Sequence, residues 1–190
     1  MQSDKHYKLV TGDLLEAPDT EVICHQCNCT STGAGGIARV IFDRFPWADV
    51  YSEREQVSLY QVPGFVELRG NNINSKRFLL GRFAKRRVLA MYAQYHGGGP
   101  SDSSEKDTSQ NRVTYFAACL MQMRFMASKP FHKAKGLKSP ITKFSFPHSI
   151  GCGIGGGDWE KDYEPMINDF ARWVNEHTDD GQVTIYQLPQ

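Results

Sequence analysis

Phe144-Ser145-Phe146-Pro147-His148-Ser149-Ile150-Gly151-Cys152-Gly153-Ile154-Gly155-Gly156-Gly157-Asp158-Trp159 is the stretch on which the reading of this chain turns. Residues 141–146 alternate as a strand does, and the strand runs into a glycine-rich turn at 149–157. Met166, Ile167, Phe170, Trp173 and Val174 then fall on one face of a predicted helix, and residues 183–186 form a closing strand. A strand, a glycine loop and a helix in that order have a physical use. Glycine lets the backbone turn with positive φ and come close to a ligand. Successive N–H groups then point outward beside the positive end of a helix dipole, so phosphate can be held without lysine.

The same arrangement occurs nearer the start. Residues 21–27 are nearly apolar and read as a central strand. Thr32-Gly33-Ala34-Gly35-Gly36 follows, then Ile37, Val40, Ile41 and Phe45 at helical spacing, with Pro46 as the stop. Eleven of the seventeen glycines lie in three clusters, 33–36, 97–99 and 151–157. In an open α/β sheet ligands bind beyond the carboxyl ends of the strands, where two such loops could grip a diphosphate from both sides. Tight turns with no ligand are the alternative. The first loop lacks G-x-G-x-x-G and no acidic residue ends a strand about 20 residues later, so this is not the dinucleotide fingerprint. No Gly-Lys-Ser/Thr occurs, so it is not a P-loop.

The remaining elements alternate. Residues 7–10, 65–68, 78–80 and 88–92 read as strands, and a second helical stretch runs from Pro46 towards Tyr60. Residues 71–75 read as a loop insertion, 97–107 as a mobile surface loop, 113–126 as an apolar-striped helix and 129–138 as a basic connection. The class is α/β, a mixed sheet with helices on both faces. Periodicity does not give the strand order.

The 190 residues carry 22 Lys+Arg against 21 Asp+Glu, with 40% hydrophobic and 23% charged content. That fits one soluble globular domain, 1–190, and excludes disordered, collagen-like and coiled-coil classes. No stretch is long and apolar enough to span a bilayer, and no leader is read at the start. Five cysteines, Cys24, Cys27, Cys29, Cys119 and Cys152, are an odd set and read as reduced thiols in an intracellular protein, cytoplasmic or nuclear. Cys24, Cys27, Cys29 and His25 resemble half a zinc site, but no second half returns, so no metal is expected. Near-zero net charge argues against a general polyanion binder. Residues 69–87 hold seven basic side chains and 124–143 hold six, with no acidic one in either; such runs read as solvated faces, with a nucleic-acid patch as the alternative.

Three motifs in order carry a resemblance: Gly12-Asp13-Leu14-Leu15, then His25-Gln26-Cys27-Asn28-Cys29 with Gly33-Ala34-Gly35-Gly36-Ile37-Ala38, then 147–159 as quoted above. Together they resemble the macro domain family over nearly the whole chain, residues 7–186. The most similar branch is the one with the yeast ADP-ribose 1″-phosphate phosphatase and the terminal ADP-ribose protein glycohydrolase. The resemblance implies a three-layer α/β/α sandwich with a central mixed sheet and an ADP-ribose cleft at its top. It implies no cofactor. Asp13 would receive the adenine amino group and Leu14 would supply an N–H beside it. Asn28 would contact the distal ribose. Gly33, Ala34, Gly35 and Gly36 would follow the distal ribose and phosphate, and Ile150, Gly151, Cys152, Gly153, Ile154 and Gly155 would cover the diphosphate.

For the reaction, His25 matches a histidine of the phosphatase and would serve as acid or base, with Asn28 beside it and Asp158 as a partner carboxylate. Their alternatives are a buried core histidine and a helix N-cap. Cys152 sits where helix amides could lower its pKa. The glycohydrolase lysine and loop aspartate align with Gln94 and Gly155, which argues against its mechanism. The resemblance therefore implies phosphate removal from ADP-ribose 1″-phosphate. A non-catalytic ADP-ribose reader, or a hydrolase of another ADP-ribose derivative or of ADP-ribosylated proteins, is the alternative.

Overall fold

The computed structural model describes residues 4–57, 61–70, 86–128 and 141–189. Six strands, β1 (Lys8–Thr11), β2 (Val22–Asn28), β3 (Val66–Gly70), β4 (Arg87–Gln94), β5 (Lys143–Pro147) and β6 (Gln182–Gln187), form one sheet in the order β1-β6-β5-β2-β4-β3. Every neighbouring pair is parallel except β3, which lies antiparallel to β4 at the edge. The helices are α1 (Gly36–Arg44), α2 (Ser52–Val57), α3 (Ser109–Ala127) and α4 (Glu164–His177).

All seven residues of β2 and all eight of β4 are buried, as expected of parallel strands covered on both faces. Alternation along the strands divides two cores. Cys24, Leu89, Met91, Phe144 and Phe146 pack against α3 and α4. Ile23, Cys27, Val88, Ala90 and Tyr92 pack against α1 and the 14–17 and 45–51 segments. The result is the expected α/β/α sandwich. Among the described residues no helix is long and apolar enough to cross a membrane.

Three expectations change. α1 buries Ala38, Ile41 and Phe42, with Phe45 capping it, whereas Ile37 and Val40 are 36% and 50% exposed. Ala38 supplies a small side chain to the buried stripe, and the Phe42 ring packs edge-on to His25 and to Tyr51. The helix expected to run on from Pro46 is broken. A short turn, Pro46–Ala48, ends where the Asp49 carboxylate accepts from Tyr51 N–H at 2.7 Å and Ser52 N–H at 3.2 Å, which starts α2 instead. The 97–107 stretch is not a free surface loop: Ser101 N–H donates to Asp107 C=O, and Asp107 is buried. The predicted strand 78–80, the loop 71–75 and the basic connection 129–138 lie outside the described residues.

The strand order explains where a ligand could sit. From β2 the chain crosses over through α1 and α2 to the edge strand β3 on one side, and turns back into β4, which pairs with β2. From β5 it crosses over through α4 and reaches β6 on the other. α1 and α4 cover opposite faces, so the chain diverges between β2 and β5, and a crevice opens at their carboxyl ends.

Candidate functional site

The first wall of that crevice begins at the end of β2. Pairing with β4 slips by one residue between Cys27 and Asn28. The Asn28 carboxamide oxygen then accepts from the N–H of Thr30 (3.2 Å) and Ser31 (2.7 Å) and shapes the turn. Its amide donates to the Tyr51 hydroxyl at 3.2 Å, and so does its backbone N–H at 3.0 Å. One side-chain N–H of Asn28 is left for a ligand. Arg54, on α2 and buried, donates to the carbonyls of Asn28 and Ser31 at 2.8 Å each and lies over the Tyr51 ring. The chain then passes through 33–36 into α1, and Gly36 takes φ +53° at the first helical position.

The second wall follows β5. His148 N–H pairs with Tyr186 C=O, after which Ser149 (φ +56°) and Gly151 (φ +77°) turn the chain back over the sheet. The turn is stiffened from within: Cys152, Gly156 and Gly157 N–H donate to the carbonyls of Ser149, Gly153 and Gly151, each at 3.0 Å. A Cβ on Gly151 would stand 2.5 Å from the Gln26 side-chain oxygen, and together with φ +77° this favours glycine where the loop rests on the floor of the cleft. Among the described residues the N–H groups of Gly153, Ile154 and Gly155 meet no acceptor. Ile154 reaches across to the first loop, with its Cδ1 3.6 Å from where a Cβ on Gly35 would stand.

Gln26 and Gln94 form the floor. Gln94 donates to His96 C=O at 3.0 Å, which fixes its orientation. Its oxygen accepts from Gln26 at 2.7 Å. The Gln26 oxygen is buried with no partner among the described residues.

These parts enclose about 490 Å³, within the usual range of a small-molecule site. Among the described residues, eight of the lining are glycine and none is Lys, Arg, Asp or Glu. An anion bound there would be held by backbone amides and the start of α1, with neutral side chains to take sugar hydroxyls.

The lining brings together Asn28, Gly33, Ala34, Gly35, Gly36, Ile150, Gly151, Gly153, Ile154 and Gly155 from the residues anticipated above. Five others stand outside it. His25 is 0% exposed, on the α1 face with Cys27, and burial lowers its pKa to about 4, so the imidazole is neutral and sealed. Asp158 caps the wide helical turn Trp159–Tyr163 by accepting from Lys161 N–H at 3.0 Å. Asp13 caps the turn Leu14–Glu16 by accepting from Leu15 N–H at 2.9 Å; its second oxygen, at the same sheet edge, has no partner among the described residues, and the Leu14 side chain is buried. Cys152 is half-buried against the α3/α4 core. Burial, and then Asp158 and Asp162, push its thiol up to about 11, the reverse of activation.

Several lining residues were given no role. Gln26, inside the second motif, could have been placed by strand alternation, since it lies one residue from His25 on the other face. His148 and Ser149, whose ring nitrogen and hydroxyl are 2.8 Å apart, lie inside the third motif, whereas Tyr51 and Ser31 carried no motif.

Solved structures share this architecture. The macrodomain of Mycobacterium tuberculosis DarG superposes with TM-score 0.61 and 20% identity, over 95% of this chain and 96% of that one. An Oceanobacillus iheyensis macrodomain gives 0.60 and 17%, over 100% and 89%. Thermosipho africanus DarTG in complex with ADP-ribose gives 0.57 and 20%, over 95% of this chain and 41% of that one. The chain thus has the macrodomain fold. A 41-residue stretch is also 42% identical to ADP-ribose 1″-phosphate phosphatase of Aspergillus oryzae, which is 22% of this chain and 20% of that protein. No protein-family model matches the chain.

Proposed function

We propose that 1–190 acts as one unit that binds ADP-ribose in this cleft, and that ADP-ribose 1″-phosphate is the derivative it hydrolyses. The observation that carries the reading is the uncharged cleft at the divergence of β2 and β5, walled by two glycine loops with unpaired amides. A diphosphate spans two loops where a single phosphate needs one. Gly33–Gly36 and residues 150–155 take it from either side. The free oxygen of Asp13 receives the adenine amino group, and the remaining N–H of Asn28 meets the distal ribose. Similarity to a phosphatase over one stretch supports the choice of derivative. Water adds to the distal phosphorus, the bond from phosphorus to the ribose oxygen breaks, and the products are inorganic phosphate and ADP-ribose. His25 then works through packing against Phe42, not as a proton carrier.

One observation favours a second reading, a reader that holds ADP-ribose without turnover. Among the described residues the lining has no carboxylate, and the histidine expected to be catalytic is sealed in neutral form. Phosphate release from ADP-ribose 1″-phosphate decides between them. Turnover at least tenfold lower in Asn28→Ala supports hydrolysis. Saturable ADP-ribose binding with no phosphate released by wild type supports the reader.

A further inference from the structure

Arg112 lies on α3 and is 1% exposed, yet its guanidinium collects groups from three segments. One terminal nitrogen donates to Gly98 C=O and to Gly155 C=O, both at 2.8 Å. The other donates to Gly99 C=O at 2.9 Å, to His96 C=O at 3.4 Å and to the Asp107 carboxylate. The Nε–H completes the fork on Asp107 at 3.0 Å. The same carboxylate accepts from Tyr95 N–H at 2.8 Å and so fixes the start of the 95–99 turn.

We propose that Arg112 is a positioning residue of the cleft, holding the 97–99 turn and the 151–157 loop at a set separation. This rests on the diphosphate reading above. A loop that binds an anion with its N–H groups must keep its carbonyls turned away, because carbonyl oxygens repel the same charge. Loose glycine segments have no side chains to enforce that. One planar fork facing four carbonyls supplies the constraint, and the bidentate contact with Asp107 sets its plane behind the loops, outside the cleft. His96 C=O also receives Gln94, so the loops, the floor and α3 share one hydrogen-bonded network. A lysine cannot do this, since its point charge lacks the fork.

Calorimetry on wild type and Arg112→Lys with ADP-ribose and with adenosine monophosphate tests the assignment. The expected result is ADP-ribose affinity at least tenfold weaker in the variant, with adenosine monophosphate changed less than threefold. ADP-ribose affinity within twofold of wild type, or an equal loss for both ligands, overturns it. If Arg112→Lys shows no native melting transition, Asp107→Asn is judged by the same two ligands. If wild type itself binds no ADP-ribose, the ligand reading fails, and the carbonyl ¹³C shifts of Gly98, Gly99 and Gly155 in ligand-free protein still judge this one. They move together in the variant if Arg112 holds them, and stay put if it does not.

Discussion

At the residue scale, glycines of one loop have unequal roles. Gly151 combines φ +77° with a Cβ position 2.5 Å from Gln26, whereas Gly153 has nothing within 4 Å and no positive φ. Left-handed backbone costs an alanine roughly 1–2 kcal/mol before any clash. Gly151→Ala is therefore expected to lower stability by about 2 kcal/mol, and Gly153→Ala to leave it within about 0.5 kcal/mol, as read by urea unfolding. His25 makes a pH prediction. Its pKa falls from 6.5 to about 4 on folding because burial disfavours the charged ring. Below pH 6.5 the unfolded chain takes up a proton that the folded chain refuses, so stability is full above that value and drains as pH falls towards 4. On the order of 2 kcal/mol should be lost between pH 7.5 and 5 in wild type, and that loss should be absent in His25→Gln. A pH-independent wild type would contradict a sealed neutral imidazole. His25 was marked in the sequence by its residue type. What type cannot show is which face of β2 it takes, and alternation puts it opposite Gln26, which lines the cleft.

At the element scale, glycine punctuation was legible and helix faces were less so. The strand–loop–helix order at 21–45 and 141–177 survives in β2–α1 and β5–α4. The face of α1 was misread because Ile37 and Val40 outrank Ala38 on any hydrophobicity scale. Packing inverts that order, since the stripe 38, 41, 42, 45 brings two phenylalanines and one small residue inward. Val40→Lys should change stability by less than about 0.5 kcal/mol, while Phe42→Ala should cost about 3–5 kcal/mol by leaving a cavity between His25 and Tyr51. Equal effects in thermal unfolding would show that the face is assigned wrongly. The 46–57 segment was misread for a different reason. Asp49 stops one turn and starts the next through its side chain, a competition that periodicity does not register.

At the scale of the molecule, class and layering were legible from alternation of elements, but the order β1-β6-β5-β2-β4-β3 was not. Strand order depends on pairing between distant segments, and a single sequence records no partner. That order creates the cleft, because crossovers leaving β2 and β5 in opposite directions place their glycine loops face to face. The buried arginines behind the loops, Arg54 and Arg112, were equally invisible, since burial of a cation follows from carbonyls that converge only after folding. Amide ¹H–¹⁵N spectra recorded during titration with ADP-ribose test the central claim most directly. Saturable shifts concentrated at Gly33, Gly35, Gly153 and Gly155 are predicted, and spectra unchanged at millimolar ligand, or changed only away from both loops, would contradict it.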